Sequence, residues 1–527
     1  MSRRVSDLVV DSLAAEGVEY VFGLPGEELE DLLFSLRDSD VQFVPVRHEQ
    51  GAAFMADVHG RLTGDAGVCL ATLGPGATNL ITGVADAHLD KAPLVAITGQ
   101  GSRERLNKES HQKLDVVHAF EPVVKWNAQL SDPQGVAESV RKAFKVAEYE
   151  KPGATHLELP EDVATEPTED EPLPVRPRVA RPAPNDDALA AAAGAIADAD
   201  RPLVLAGNGA VRADAASALA AFVESTGIPV VSTYMGKGAL SDRNERSLMT
   251  LDSGPEREAG GAVAAADCVL AVGYDIAEHD PAGWNPDRDK TVVHLDSEPA
   301  EVYAHYNPAV EVVADPSTGL DRLAAAVDRR WDAWCVDAHE RVYDHATARP
   351  DPGDPVTVGG VLPLLRAAMA DADVLISDVG SHKMAIARRF PVYEPGRCVI
   401  SNGLASMGIA VPGGVAADLA VDANVVVATG DGGFLMNAAE LETAKRLDCS
   451  FTTVVFRDDD YGLISEKQAE HRGESFGTEL GNPDLVAFAE SFGVDARRAA
   501  SVEAVEAAFA ETVDGDDLSL IDVPIAR

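Results

Sequence analysis

Two aspartates, Asp431 and Asp458, stand 27 positions apart, each directly behind an apolar β-type run, VVVATG for the first and FTTVVFR for the second. One strand, one helix and a second parallel strand take up that spacing, so both carboxylates emerge at the same sheet edge. Oxygen ligands placed that way suit a small hard cation such as Mg2+, which commonly bridges to phosphate. The glycines beside Asp431 in GDGG let backbone amides approach such a phosphate. An Asp-Gly pair is also an ordinary turn, and GDG alone does not separate the two readings. A third carboxylate, Glu49 in FVPVRHEQGAAFMAD, falls where a strand ends and a small-residue helix begins. Taken alone, it could equally cap that helix or pair with Arg47.

The elements that must position these groups repeat one rhythm. Short β-rich runs alternate with helical stretches along the whole chain, the pattern of mostly parallel sheets flanked by helices. The fold class is α/β in three consecutive domains, at residues 1–165, 186–335 and 356–527. VCLATL at 68 and LVAITG at 94 are strands of the first, with GPGATNLITGVADAHL between them as a Gly-rich turn and helix. LVLAG at 203, PVVSTY at 229, CVLAVG at 268 and VVHLD at 292 belong to the second. VLISDVG at 374, VVVATGDGG at 425, FTTVVF at 451 and LIDVPI at 520 belong to the third. The proline- and charge-rich segment PEDVATEPTEDEPLPVRPRVARPAPNDD reads as an extended linker, and ATARPDPGDP marks the second boundary. Ligands of parallel sheets collect at carboxyl strand ends, which directs attention to GPG at 74, DVGSH at 378 and GDGG at 430. AGNGAVRAD at 206 starts like a dinucleotide fingerprint but has Arg212 where the third glycine belongs.

Composition narrows the partners. The 527 residues include 87 acidic and 44 basic side chains, a formal charge of −43. Such a field repels nucleic acid and anionic membranes, so neither is an expected partner. The carboxylates are dispersed rather than gathered in a tail, as expected of a surface adapted to strong salt in a halophilic host; an ordinary acidic cytosolic protein is the alternative. No apolar run approaches the ~18 residues of a membrane helix. MSRRVSDLVVDSLAAEG has its apolar stripe broken by Asp7 and Asp11 and reads as a first helix rather than a signal peptide. A cytoplasmic location follows as the expectation. The five cysteines are scattered without a Cys-x-x-Cys pair, which argues against a disulfide framework or zinc site and for buried thiols.

RHEQGAA, LATLGPGATN, APLVAITGQ, KESHQ, GDGG and RDDDYG occur in one order that resembles the acetolactate synthase group of thiamine-diphosphate enzymes. VFGLPGE, TYMGKGALSD, VGSH, SNGLASMGIAVPGG and NPDLVAFAESFG extend the resemblance over essentially the whole chain. The resemblance implies that the first domain binds the pyrimidine ring of thiamine diphosphate, the third binds its diphosphate with Mg2+, and the middle one is a remnant or working flavin domain. It places Glu49 at the glutamate that hydrogen-bonds the pyrimidine N1′ and Gln112 at a glutamine facing the reacting carbon. Met407 matches the apolar support for the bent coenzyme, although a methionine in SMGIAVP is otherwise an ordinary core residue, and the Ala405 carbonyl matches the acceptor of the 4′ nitrogen. Asp431, Asp458 and the carbonyl of Asp460 match the metal ligands. Gly380, Ser381, His382, Gly432 and Gly433 match diphosphate contacts. The implied reaction decarboxylates a 2-oxo acid and joins the remainder to a second one, in a homo-oligomer whose cleft lies between the first domain of one subunit and the third of its partner. Dimer versus tetramer, and the presence of a regulatory subunit, stay open.

Four positions depart from the pattern. Arg457 replaces the usual asparagine before Asp458, and Glu466 stands where tryptophan is frequent. Glu28 replaces a lysine that in flavin-free members holds the substrate carboxylate. VGYDIAEHD lacks the arginine-containing flavin segment, which disfavours bound FAD. A simple 2-oxo acid decarboxylase, another carboligase, or a non-catalytic regulatory relative are the competing readings.

Overall fold

The computed structural model describes residues 3–526 except positions 176 and 333. Its eighteen strands form three six-stranded sheets, and all pairings within them are parallel. The first contains β1 (Tyr20–Gly23), β2 (Gln42–Pro45), β3 (Gly67–Ala71), β4 (Leu94–Gln100), β5 (Trp126–Gln129) and β6 (Ala154–Pro160). The second contains β7 (Pro202–Ala206), β8 (Val230–Ser232), β9 (Ser247–Thr250), β10 (Cys268–Val272), β11 (Thr291–Asp296) and β12 (Val310–Val313). The third contains β13 (Val374–Ser377), β14 (Cys398–Ile400), β15 (Val425–Gly430), β16 (Thr452–Arg457), β17 (Asp495–Arg498) and β18 (Ser519–Pro524).

The outer two sheets have the same topology, β2-β1-β3-β4-β6-β5 and β14-β13-β15-β16-β18-β17. The central one runs β12-β11-β10-β7-β8-β9, the order in which dinucleotide-binding sheets are wound. Central strands such as β3, β4 and β10 are buried at every position, as their unbroken apolar runs require when helices cover both faces. The proline-rich segment after β6 opens with a short helix, Glu161–Thr165, before it becomes extended. It is tied back to the first sheet by Arg178 on Asp65 and Glu148 and by Arg181 on Glu150. All five cysteines are buried and free. Among the described residues no helix is long and apolar enough to cross a membrane.

Seven helices place the chemistry: α1 (Glu49–Thr63), α2 (Pro75–Leu89), α3 (Ser381–Arg389), α4 (Ala410–Ala420), α5 (Asp431–Asn437), α6 (Glu440–Arg446) and α7 (Gly462–Arg472). α1 follows β2, starts from a cap made by the His48 ring, which accepts from the Gln50 N–H at 3.1 Å, and ends at Gly64 in the left-handed region. Its small residues let it nest against α4, so that Ala52, Phe54 and Val58 share one core with Ile376, Ile409, Val411 and Val415. The first and third blocks of a chain are thus packed as one body through this pair of helices.

Candidate functional site

In the third block, β15 and β16 pair with Gly430 opposite Phe456, so Asp431 and Asp458 leave the sheet side by side. They line a cavity of about 250 Å3 together with Gly380, Ser381, His382, Ala405, Met407, Gly432, Gly433 and Asp460. Every residue that lines it comes from the third block. Two helix N-termini open onto it, α3 after the Gly380 turn and α5 after Gly430, so unpaired N–H groups and the positive ends of both dipoles face the space. The glycines are sterically required: a Cβ on Gly462 would stand 2.6 Å from the Asp458 carboxylate, and one on Gly433 would stand 2.9 Å from that of Asp378. Asp431 accepts from the Asp459 N–H at 2.8 Å and from Asn482 at 2.6 Å. Burial pushes its carboxyl upward against those hydrogen bonds, a shift that a divalent cation would reverse. Burial also holds the His382 ring down at about 4, so it is neutral here, stacked 6.1 Å from Phe456.

Residues 401–408 reach this cavity as a loop between β14 and α4. Ala405 adopts a left-handed φ of 56°, and Met407 is half-buried against the cavity rather than sealed in the core. The loop's far end is held by Asp378, which accepts from the N–H groups of Val379, Gly408 and Ala410 and from the Thr429 hydroxyl. Asp378 and Asn482 are structural partners that no sequence pattern singled out for a role, although Asp378 opens the DVGSH segment.

Arg457 does not disturb the paired aspartates. Its guanidinium is engaged by Asp522 at 2.9 Å and Asp459 at 3.3 Å, and it does not line the cavity. Glu466 is exposed on α7, whose Leu463 and Ile464 reach the cavity rim. Among the described residues no three His, Cys, Asp or Glu side chains cluster as a metal cage. A cation here would rest on two carboxylates, the Asp460 carbonyl and oxygens of its ligand, and the donor set fits Mg2+.

Glu49 and Gln112 lie elsewhere, at the carboxyl ends of β2, β3 and β4 in the first block. Glu49 is 6% exposed and accepts from Asn79 at 3.0 Å. It neither caps α1, a task the His48 ring performs, nor pairs with Arg47, which lies 3.7 Å from Glu442. Gly76 lies beside it, where a Cβ would come 3.3 Å from the carboxylate, and Gly74 lies beneath Gln112, where a Cβ would come 2.6 Å from the Gln112 carbonyl. Glu28 completes the group by accepting from Thr72 at 2.8 Å. Within the chain, the start of α1 meets the far end of α5 and the first residue of α6: Gln50 accepts from Asn437, and Glu440 accepts from the Arg47 and His48 N–H groups. α5 therefore runs from Asp431 toward the start of α1, and no first-block residue lines the cavity that holds Asp431.

Residues 3–119 match the N-terminal TPP binding domain of thiamine pyrophosphate enzymes, residues 189–323 the central domain, and residues 378–523 the C-terminal TPP binding domain. The chain belongs to the thiamine pyrophosphate enzyme family. Similar proteins agree over full length. Acetolactate synthase of Bacillus subtilis (strain 168) is 34% identical over 100% of this chain and 94% of its own. Catabolic acetolactate synthase of Raoultella terrigena is 33% identical over 99% and 94%. A probable acetolactate synthase large subunit of Methanocaldococcus jannaschii is 31% identical over 99% and 91%. The two outer sheets, which share one topology, are thus the two TPP binding domains of that family.

Proposed function

We propose that this protein decarboxylates pyruvate and joins the remaining two-carbon unit to a second 2-oxo acid, giving 2-acetolactate and carbon dioxide. The observation that carries this reading is the third-block cavity, where paired aspartates, two helix N-termini, the Ala405 carbonyl and Met407 share one surface in a thiamine pyrophosphate enzyme chain. Asp431, Asp458 and the Asp460 carbonyl would hold Mg2+, and Gly380, Ser381, His382, Gly432 and Gly433 the diphosphate. Thiamine diphosphate, once bound, supplies the electron sink for decarboxylation. With thiamine diphosphate bound, Glu49 would hold a proton at the pyrimidine N1′, the Ala405 carbonyl would accept from the 4′ nitrogen, Met407 would give the coenzyme apolar support, and Gln112 would face the substrate. The site is completed by a second copy of the chain, whose Glu49 and Gln112 cover the cavity; the domain limits are 1–165, 186–335 and 356–527.

FAD is not part of this reading. At the switch point between β7 and β10, the Glu278 carboxylate takes the Asn208 N–H at 2.9 Å, and Gly207 and Gly209 pack on the Gly273 backbone rather than opening toward a ligand. Cytoplasmic residence belongs to this reading, and a strong-salt environment is supported by the charge of −43 and by highly exposed carboxylates such as Asp186 and Asp200. A second reading, decarboxylation alone or ligation to an uncharged carbonyl, is favoured by Glu28, whose negative charge beside Thr72 opposes a substrate carboxylate. Incubation with pyruvate, Mg2+ and thiamine diphosphate in molar KCl decides between them: acetolactate as the product supports the first, acetaldehyde the second.

A further inference from the structure

Asp57, Asp86 and Asp90, on α1 and at the end of α2, are all at most 2% exposed and converge on the single guanidinium of Arg61. Arg61 lies 2.7 Å from Asp57, 3.2 Å from Asp86 and 2.8 Å from Asp90. One guanidinium does not offset three buried carboxylates: Lys383 adds a second buried positive charge near Asp86 and Asp90, burial raises the Asp57 and Asp86 carboxyls, and the rest of the bonding falls to hydrogen-bond donors. Those donors are on the loop that bears Ala405 and Met407. Asp90 accepts from the Asn402 N–H at 2.9 Å and from the Gly403 N–H. Asp86 accepts from the Ser401 hydroxyl at 2.7 Å and the Ser406 N–H at 3.4 Å, while Arg61 itself donates to the Ile400 carbonyl at 3.1 Å. The Asn402 side chain adds a contact to each remaining block, accepting from Lys383 at 3.1 Å and donating to the Glu278 carbonyl at 2.9 Å.

The loop is therefore gripped at 400–403 and at 406 by the first block, and at 408–410 by Asp378 of the third, with Ala405 and Met407 suspended between the grips. We propose that Asp86 and Asp90, braced by Arg61, are positioning residues that fix the Ala405 carbonyl and the Met407 side chain against thiamine diphosphate. They touch no reacting atom and act through the loop; the inference rests on the coenzyme occupying the third-block cavity. A misplacement of about 1 Å at such contacts costs up to roughly 100-fold in rate.

The test uses the full chain loaded with thiamine diphosphate and Mg2+, in Asp86→Asn, Asp90→Asn and Ser401→Ala forms. Ser401→Ala removes the hydroxyl that links Asp86 to Ser406 and leaves the ion cluster intact, so it remains informative if an aspartate variant does not fold. The readouts are coenzyme affinity and the rate of deuterium exchange at the thiazolium C2 of the bound coenzyme, which needs no substrate. Positioning predicts exchange slowed by about tenfold or more in the aspartate variants, and less in Ser401→Ala, with affinity within about threefold of wild type. Wild-type exchange in folded Asp90→Asn and Ser401→Ala, or a loss accounted for wholly by weaker coenzyme binding, overturns it. Should wild type make no acetolactate while exchange still responds to the variants, positioning stands and the proposed reaction falls; acetolactate formation with unresponsive exchange sinks positioning alone.

Discussion

Glu49 opens a helix that it does not cap, buried where its near partner is the neutral amide of Asn79. A carboxylate buried with so few donors is costly unless a ligand completes its bonding. That expense is the residue-scale argument for a role in activation. Glu49→Gln keeps the shape and the Asn79 contact, and it should bind thiamine diphosphate while losing roughly 100- to 10,000-fold in turnover; steady-state rates alongside a coenzyme titration check this, and wild-type turnover would remove Glu49 as activator. At this scale, the sequence identified chemistry-bearing types well. Asp431 and Asp458 were legible because a 27-residue spacing and Gly-rich strand ends constrain where they emerge. Asp378, Asn482, Asp86 and Asp90 were not, because their work is done through hydrogen bonds to residues 30 or more positions away, such as Asp378 to Gly408 and Asp90 to Asn402.

Among elements, central strands were readable from apolar runs, and so was the edge strand β2 in FVPVRHEQ, but the edge strands β5 and β17 were not. Those two are partly exposed along their length and carry polar residues in half or more of their positions, so they present no hydrophobic run to detect. The decisive packing, α1 against α4, was foreshadowed only by the glycines and alanines of EQGAAFMADVHGRLT, which state that something comes close without stating what. Gly60 makes another close approach of α1 testable, to the Pro93 backbone before β4 rather than to α4. A Cβ there would stand 2.3 Å from the Pro93 carbonyl oxygen, backbone that has little room to move. In an open helix Gly→Ala stabilises by about 0.5–1 kcal/mol. Here Gly60→Ala is expected to destabilise by about 1–3 kcal/mol, the usual cost of overpacking. Thermal or denaturant unfolding of the variant reads the sign, and an increase in stability would refute the close approach.

The whole molecule carries a net charge of −43 on 527 residues, and its exposed ion pairs, such as Arg243–Asp371 and Arg322–Asp186, are worth little individually. Self-repulsion between dispersed carboxylates dominates, and it acts over about 10 Å at 0.1 M salt but about 3 Å at 1 M. The unfolding temperature should therefore rise steadily as KCl goes from dilute to molar; a flat profile would separate the charge from any adaptation to salt. The same scale decides the architecture of the site. One chain presents a TPP binding domain in its first block and another in its third, and the cavity around Asp431 is lined by the third block alone. Exposed Leu404, Leu435, Met436 and Ile464 lie around that cavity, apolar surface that another copy would cover.

The most direct measurement mixes two inactive chains. Glu49→Gln and Asp431→Asn are each purified, dissociated, combined in equal amounts and reassembled, and acetolactate formation from pyruvate is followed. If each site takes Glu49 from one chain and Asp431 from its partner, half of the dimers are mixed and each of these holds one intact site, so activity returns to about a quarter of wild type. No recovery, in mixed dimers verified by mass, would mean that both residues of a site come from one chain and would contradict the account.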